Sequence, residues 1–193
     1  MLASQAWEAE TTWPREESIE MANWKVIRRI LTPMPLVQLY YFWKHRTLIS
    51  RRAEVELASA TSWGEGCVIS AYTKIKIPGP FTMGRRVHIA TGCFIDSGWA
   101  GLTIGDDVVI GPNCTIVNVS YRFDRTDVPL PEQGLVTTGI RIGHRVRLGA
   151  NCVVLDGAEI GDDAVVPPGT VISGRIAPGR GRVVPSDVAR PGK

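Results

Sequence analysis

The sequence contains three histidines, at His45, His88 and His144. Imidazole ordinarily titrates near neutral pH, so each is a candidate general base for removing a proton from a hydroxyl or amine. Four cysteines, in contrast, lack the close spacing of a metal cluster. They are Cys67, Cys93, Cys114 and Cys152. The elements that carry these side chains determine which of them can reach a substrate.

These elements follow a six-residue rhythm. An aliphatic residue recurs at every sixth position, and glycine often follows it, as in Ile104-Gly105 and Ile142-Gly143. Repetition at a fixed period is typical of repeat architectures, in which each unit packs against its neighbours. Sixteen units carry the rhythm, at Leu57, Trp63, Ile69, Ile75, Met83, Ile89, Ile95, Ile104, Ile110, Ile116, Ile142, Leu148, Val154, Ile160, Val166 and Ile172.

Each unit predicts a short strand with two inward side chains and a corner that glycine or another small residue allows. The segments between corners are too short for helices and are rich in Val and Ile. Three six-residue sides form one triangular coil, so the units predict a parallel β prism of about five coils. The cysteines occupy a small inward position two residues before an aliphatic, where buried cysteine acts as a small hydrophobe. Buried free thiols fit a reducing compartment; a disulfide is the alternative.

Composition excludes several classes of function. The 193 residues, 44% of them hydrophobic, predict one domain with a sizeable core. A net charge of +3 is too small to indicate nucleic-acid binding. No apolar run reaches the roughly 18 residues of a membrane span, and the N-terminus lacks the pattern of a secretory signal. These features predict a cytoplasmic protein.

Two segments precede the repeats. Residues 1–20 are rich in Glu and lack apolar periodicity, which predicts a disordered tail or sequence upstream of an internal start at Met21. Residues 21–52 contain seven Lys or Arg and no acidic residue. The aromatic and aliphatic residues among them predict two short amphipathic helices, divided around Thr32-Pro33-Met34-Pro35. This segment is interpreted as a helical cap over the open end of the prism, or as a surface that rests on an anionic bilayer at the inner membrane; the two roles are compatible.

Three insertions interrupt the rhythm. Two residues are inserted after Ile75, three after Ile95 and twenty after Ile116. Counting sides in threes places these aliphatics on the same side of successive coils, so the loops should stack along one edge. We expect a functional site at this edge, with the longest loop at residues 117–140.

The pattern aliphatic-Gly-x-x-small-x resembles the hexapeptide-repeat acyltransferases, particularly their sugar and antibiotic O-acetyltransferase branch. Residues 104–116 (IGDDVVIGPNCTI) and 142–150 (IGHRVRLGA) carry the best match, within a likeness over roughly residues 55–185. The resemblance implies an all-β fold: a left-handed parallel β-helix at residues 53–174, a short α-helical N-terminal segment and a basic tail at 175–193. The left hand comes from the family, because physics alone favours right-handed parallel crossovers.

For function, the resemblance implies acyl transfer from acetyl-CoA or another acyl-CoA to a hydroxyl or amine, without a metal ion. The family enzymes are homotrimers with active sites between neighbouring prisms. An imidazole removes the proton of the acceptor, which attacks the thioester while donors stabilise the oxyanion. The acceptor would be a sugar or another small polar molecule of polysaccharide or secondary-metabolite biosynthesis. A second hypothesis is an inactive trimeric homologue that serves as a scaffold or ligand-binding subunit.

The usual histidine of the family is absent from the start of the long loop. Relatives carry it at the position of Val119 or Tyr121, and unperturbed tyrosine titrates near 10, which makes it a poor base near neutrality. The catalytic candidates are Tyr121, His88, Asn118 and Ser120. The substrate-binding candidates are Asp96, Ser97, Trp99, Arg122 and Phe123. The CoA-binding candidates are Arg147 (in place of a common tryptophan), Gly149, Ala150, Arg175, Arg180 and Arg182. The tail arginines pair with CoA phosphates or form a solvated basic tail.

Two of the histidines fall within the repeats. His88 is predicted to point outward in one column with Val109 and Arg147, about 10 Å from the latter. It is either a substitute base or an outward histidine of the surface or the trimer interface. His144-Arg145 belongs to a row of charged pairs that also contains Arg85-Arg86, Asp106-Asp107 and Asp162-Asp163. Opposite charges on adjacent strands stabilise a sheet, so His144 is predicted to belong to a charge ladder.

Overall fold

Three six-stranded parallel sheets, here called A, B and C, form the sides of a triangular prism. The computed structural model describes residues 34–56, 58 and 61–179. The predicted tail at residues 1–20, the first of the two predicted helices, Leu57, Arg180 and Arg182 lie outside the described residues. The architecture is consistent with the left-handed parallel β-helix that the repeat implies.

Each coil of the prism contributes one strand to sheets A, B and C in turn. The first coil contains β1 (Leu48–Ile49), β2 (Glu54–Val55) and β3 (Thr61–Trp63). The second contains β4 (Val68–Ile69), β5 (Lys74–Lys76) and β6 (Phe81–Met83). The third contains β7 (His88–Ile89), β8 (Phe94–Asp96) and β9 (Leu102–Ile104). The fourth contains β10 (Val109–Ile110), β11 (Thr115–Val117), the hairpin β12 (Ser120–Tyr121) and β13 (Leu135–Val136), and β14 (Ile140–Ile142). The fifth contains β15 (Arg147–Leu148), β16 (Val153–Leu155) and β17 (Glu159–Ile160), and the sixth β18 (Val165–Val166), β19 (Val171–Ile172) and β20 (Arg175–Ile176).

The prism therefore has six coils, where the six-residue units predict about five. The additional strands are β1 and β20, at the two ends of the prism, and the spacing of the inward residues departs from six at β2 and β20. Val55 of β2 precedes Trp63 by eight residues, and Ile176 of β20 follows Ile172 by four. Both side chains nevertheless point into the core and are buried. Hydrogen bonds to the adjacent coil define these two strands, so a spacing of six residues is not required.

The core consists of the periodic aliphatic residues. Ile75, Ile95 and Ile116 are directly paired on successive strands of sheet B and are completely buried. Burial of each such side chain contributes about 1.5–3 kcal/mol to folding. The same register that stacks the aliphatics also stacks the small inward residues beside them.

The cysteines are free thiols buried in the core, as the repeat predicts. Three of them occupy the same position in successive coils of sheet B, and each Sγ donates to a backbone carbonyl of the next coil. The pairs are Cys93 to Gly111 at 3.2 Å, Cys114 to Gly149 at 3.0 Å and Cys152 to Pro167 at 3.1 Å. Burial raises the pKa of the Cys67 thiol, and the adjacent Cys114 thiol, together with burial, raises the pKa of Cys152 well above its ordinary value.

Thiol labelling tests this placement. Native protein is expected to release no measurable chromophore from a disulfide reagent over minutes, because the thiolate is the reactive form and the prism excludes the reagent. In denaturant all four thiols of the chain should react. Rapid labelling of the native chain would contradict the buried column.

The glycines after the aliphatics serve close coil-to-coil contact, which corrects the expectation that they form the corners. A Cβ at Gly105 would lie 2.7 Å from the carbonyl carbon of Gly143 in the next coil. The left-handed corner residues come two positions later and are mostly not glycine. In the column before sheet A they are Arg46, Gly66, Arg86, Asp107, Arg145 and Asp163, with φ between 49° and 73°. Aspartate and asparagine tolerate this conformation better than most residues.

The corner before sheet A carries the predicted charge ladder. Arg86 pairs with Asp107, and Arg145 with Asp163, each through two guanidinium nitrogens. The hydrogen bond from Arg86 holds the pKa of Asp107 below its ordinary value. His144 Nδ1 accepts a hydrogen bond from the Asp106 backbone N–H at 3.0 Å. These contacts confirm that His144 belongs to the ladder.

Helix α1 (Met34–His45) lies against the first coil. Val37 and Tyr41 are buried, and the Tyr41 ring lies 4.5 Å from the Trp63 ring. Gln38 Nε2 donates to the Ser50 carbonyl, which joins the helix to the segment after β1. Among the described residues no helix combines the length and hydropathy that crossing a bilayer requires.

Candidate active-site edge

The edge between sheets B and C carries all three loops that the insertions predict. They span residues 77–80, 97–101 and 118–139 and follow β5, β8 and β11. The last residues of these strands, Lys76, Asp96 and Val117, are paired in register. The loops therefore leave from neighbouring positions on successive coils, and the predicted stacking is confirmed.

Asn118 joins the two larger loops from inside the protein. Its side chain is completely buried, and Nδ2 donates to the carbonyls of Ser97 at 2.6 Å and Gly101 at 2.7 Å. Its Oδ1 accepts from the Gly139 N–H at 3.1 Å, at the far end of the long loop. Asn118 thus positions both ends of this loop, and its amide has no face toward solvent.

The long loop is an ordered hairpin. Strands β12 and β13 pair antiparallel, with Tyr121 opposite Leu135. Beyond them, the Gln133 side chain bonds to the backbone of Arg125 and Val128 and closes the tip. A 3-10 turn at Leu130–Glu132 precedes it. The hairpin presents Tyr121, 49% exposed, and Phe123, 80% exposed, away from the prism.

A polar groove of about 260 Å³ runs along sheet C beside the loops. One wall is a column of outward side chains, paired from strand to strand: Thr82, Thr103, Arg141 and Glu159. The other wall is backbone at the loop ends, including Gly101, Gly139 and Gly157, all with positive φ. Hydroxyl, guanidinium and carboxylate groups beside accessible backbone suit a ligand rich in hydroxyl or amine groups.

Sequence reasoning missed this groove. Its side-chain wall consists of the residues directly before Met83, Ile104, Ile142 and Ile160. The signal was present, because those aliphatics belong to one sheet and the insertions lie at its border.

The predicted substrate-binding residues divide into buried and exposed groups. Ser97 is completely buried, and its hydroxyl bonds to Gly79 and Gly98. Asp96 is half-buried, accepts from the Gly98 N–H at 3.0 Å and pairs with Lys76 at 3.6 Å. Trp99 is 41% exposed on the same loop. Arg122 and Phe123 are exposed on the hairpin, as are Ser120 and Tyr121.

His88 and Arg147 lie on sheet A, so one chain does not bring them to the loop edge. The predicted column is confirmed, since His88 pairs with Val109 and Val109 with Arg147, and both polar side chains are exposed. Gly149 and Ala150 follow β15 at the corner toward sheet B, where a Cβ on Gly149 would meet Pro168. Arg175 lies on sheet C and pairs with Glu159 at 3.5 Å, next to the groove.

The described residues contain no group of three or more His, Cys, Asp or Glu side chains that could hold a metal ion. The polar side chains at the edge include the Tyr121 phenol on the hairpin and, in the groove, the hydroxyls of Thr82 and Thr103, the Arg141 guanidinium and the Glu159 carboxylate.

Comparison with known families identifies the repeats. Residues 139–174 match the model of the bacterial transferase hexapeptide (six repeats), and residues 101–120 match the hexapeptide repeat of succinyl-transferase. A probable acetyltransferase of Mycobacterium tuberculosis is 25% identical over 80% of this chain and 56% of its own length. A putative acetyltransferase of Schizosaccharomyces pombe is 31% identical over 68% of this chain and 62% of its own. The galactoside O-acetyltransferase of Escherichia coli is 27% identical over 54% and 53%. The chain thus spans little more than half the length of these relatives.

Two solved structures share the fold. AntD, an N-acyltransferase from Bacillus cereus in complex with dTDP and 3-hydroxybutyryl-CoA, superposes with a TM-score of 0.61 at 19% identity, over 69% of this chain and 72% of its own. A mutant of perosamine N-acetyltransferase from Caulobacter crescentus, in complex with CoA and GDP-perosamine, gives 0.51 at 21% identity, over 68% and 50%.

Proposed function

Because this chain belongs to the hexapeptide-repeat acyltransferase family, we propose that it transfers an acyl group, acetyl in the simplest case, from acyl-CoA to a hydroxyl or amine of a sugar-like acceptor. The observation that carries the proposal is the loop edge, where an ordered hairpin stands beside a polar groove. The acetyltransferase relatives and the CoA-binding and sugar-nucleotide-binding structural neighbours support it.

The groove suits the acceptor. Thr82 and Thr103 supply hydroxyls, and Arg141 and Glu159 supply a donor and an acceptor of charged hydrogen bonds, which recognise the alternating groups of a sugar. The acceptor oxygen or nitrogen attacks the thioester carbonyl, the C–S bond breaks, and the acceptor proton leaves with the CoA thiol.

The proposal includes the homotrimer that the family resemblance implies, and the positions of the candidate residues in the single chain support a site between protomers. Tyr121 projects from the edge between sheets B and C, whereas His88 and Arg147 lie on sheet A. These residues can share one site only when the hairpin of one protomer meets sheet A of another. In that arrangement His88 is the candidate base, Arg147 the candidate contact for CoA, and Tyr121 a hydrogen-bond donor to the acceptor. We place the enzyme in the cytoplasm, where buried free thiols persist, at the inner membrane surface.

Turnover of acetyl-CoA with amino-sugar and sugar acceptors tests the proposal, followed as acceptor-dependent release of free thiol. The buried cysteines of the protein do not interfere with this readout in the native state. We expect His88→Ala to lower kcat by about 10²–10⁴-fold, the usual contribution of a general base. His144→Gln is the matched control, because that histidine belongs to the charge ladder at a corner.

Two results would reject parts of the proposal separately. Equal turnover in the wild type and in His88→Ala removes His88 from the mechanism but leaves acyl transfer. Absence of acceptor-dependent thiol release across acyl-CoA donors, with CoA still bound, favours the inactive ligand-binding homologue.

A further inference from the structure

Helix α1 has two apolar faces, and the core uses one of them. Val37 and Tyr41 point toward the prism and are buried. On the opposite side, Leu36, Leu39, Tyr40 and Trp43 recur at the spacing i, i+3, i+4 and i+7 that defines a single face of a helix. Their side chains are 56%, 52%, 47% and 78% exposed. We call these four residues the docking face.

Basic residues lie near the docking face in the chain, on α1 and in the first coil of the prism. Lys44, Arg46, Arg51 and Arg52 are exposed at the same end of the molecule. Lys44 Nζ donates to the Tyr40 hydroxyl, and the Arg52 guanidinium donates to the Tyr72 hydroxyl and lies over that ring. The sequence from residue 21 to 53 contains no acidic residue. The first acidic side chain after it, Glu54, pairs with Lys74. Among the described residues, this end therefore combines apolar surface with exposed positive charge.

We propose that the docking face rests on an anionic lipid bilayer, with α1 lying in the plane of the interface. Leucine can enter the acyl boundary, while tryptophan and tyrosine favour the headgroup level because their rings are amphipathic. Cationic side chains beside the stripe, and not within it, are typical of interfacial helices that recognise negative headgroups. The contact is peripheral, because α1 has twelve residues. Membrane binding does not depend on the proposed acyl transfer.

Co-sedimentation of the full chain with lipid vesicles tests the inference. We expect binding to vesicles of equal parts phosphatidylglycerol and phosphatidylcholine, weaker binding at high salt, and little binding to phosphatidylcholine alone. Trp43→Glu should lower the partition coefficient at least about tenfold, whereas Trp43→Phe should retain it within about threefold. A double change, Arg46→Gln with Arg51→Gln, should weaken binding and flatten its salt dependence. Thermal unfolding of each variant checks that the prism remains folded.

Several outcomes would overturn the inference. One is a wild type that fails to sediment with anionic vesicles; another is equal binding by Trp43→Glu and Trp43→Phe. A third is a change in solution mass on Trp43→Glu, measured by light scattering, without any vesicle binding by the wild type. That result would assign the docking face to a second copy of the chain.

Discussion

Asn118→Ala is expected to lower the free energy of unfolding by about 3 kcal/mol and to release the long loop. The change removes three hydrogen bonds of the buried amide, to Ser97, Gly101 and Gly139, each worth about 1 kcal/mol. It also leaves the Ser97 carbonyl short of a partner at a buried position, where the penalty is larger than for a hydrogen bond lost to solvent. Because these contacts join both ends of the hairpin to the 97–101 loop, the site should loosen before the prism does.

Chemical denaturation measures the global effect, and amide hydrogen exchange over residues 118–139 measures the local one. Asn118→Asp should be at least as destabilising, because it keeps the shape and the acceptor but directs a carboxylate at two carbonyls. Asn151→Gly, at an exposed corner with φ of 57°, is the matched control and should change stability by less than about 0.5 kcal/mol. Unchanged exchange in the hairpin of Asn118→Ala would show that other contacts position the loop.

Gly105→Ala is expected to destabilise the prism by about 3 kcal/mol, at the upper end of overpacking substitutions. The added methyl would lie 2.7 Å from the Gly143 carbonyl carbon and 2.8 Å from the His144 nitrogen. These are backbone atoms, so a rotamer change cannot relieve the contact. The coils must separate, which weakens the hydrogen bond from the Gly105 N–H to the Ile142 carbonyl at 2.8 Å.

Thermal unfolding should show this change as a decrease in Tm of about 6–12 °C for a chain of this size. Gly174→Ala is the control, since a Cβ there meets no atom within 4 Å and the backbone is not left-handed. That variant should be neutral or slightly more stable, because alanine reduces the entropy of the unfolded chain. Equal Tm values for the two variants would mean that the coils can separate at little cost.

The repeat by itself predicted the parallel β prism, its core and the position of the loop edge, whereas the left hand of the coil came from the family resemblance. Each side of a coil needs one inward side chain, such as Ile95, so the six-residue period of the sequence reflects the length of one side of the prism. The same period predicted that the cysteines are buried and that His88 lies in one column with Arg147. The period did not predict the ends of the prism. There, Val55 and Ile176 belong to strands paired with the adjacent coil, but they are not six residues from the neighbouring inward residue.

The site was decided by tertiary structure. Ser97 and Asn118 are polar loop residues by sequence, yet both are buried. The Asn118 side-chain amide donates a hydrogen bond to the Ser97 carbonyl in the adjacent coil. Tyr121 and Phe123 are exposed for the opposite reason: the hairpin satisfies its own backbone and leaves its side chains outside.

The sequence alone therefore determined what repeats, namely the inward aliphatic column, the small residues beside it and the edge where the period breaks. Only the tertiary structure decided which loop residues point inward, and that backbone at the loop ends forms the second wall of the groove on sheet C. The physical reason is that every repeat unit must bury the same type of side chain, so burial produces a regular sequence pattern. Contacts between loops depend on single hydrogen bonds between residues far apart in the sequence, and these produce no regular pattern.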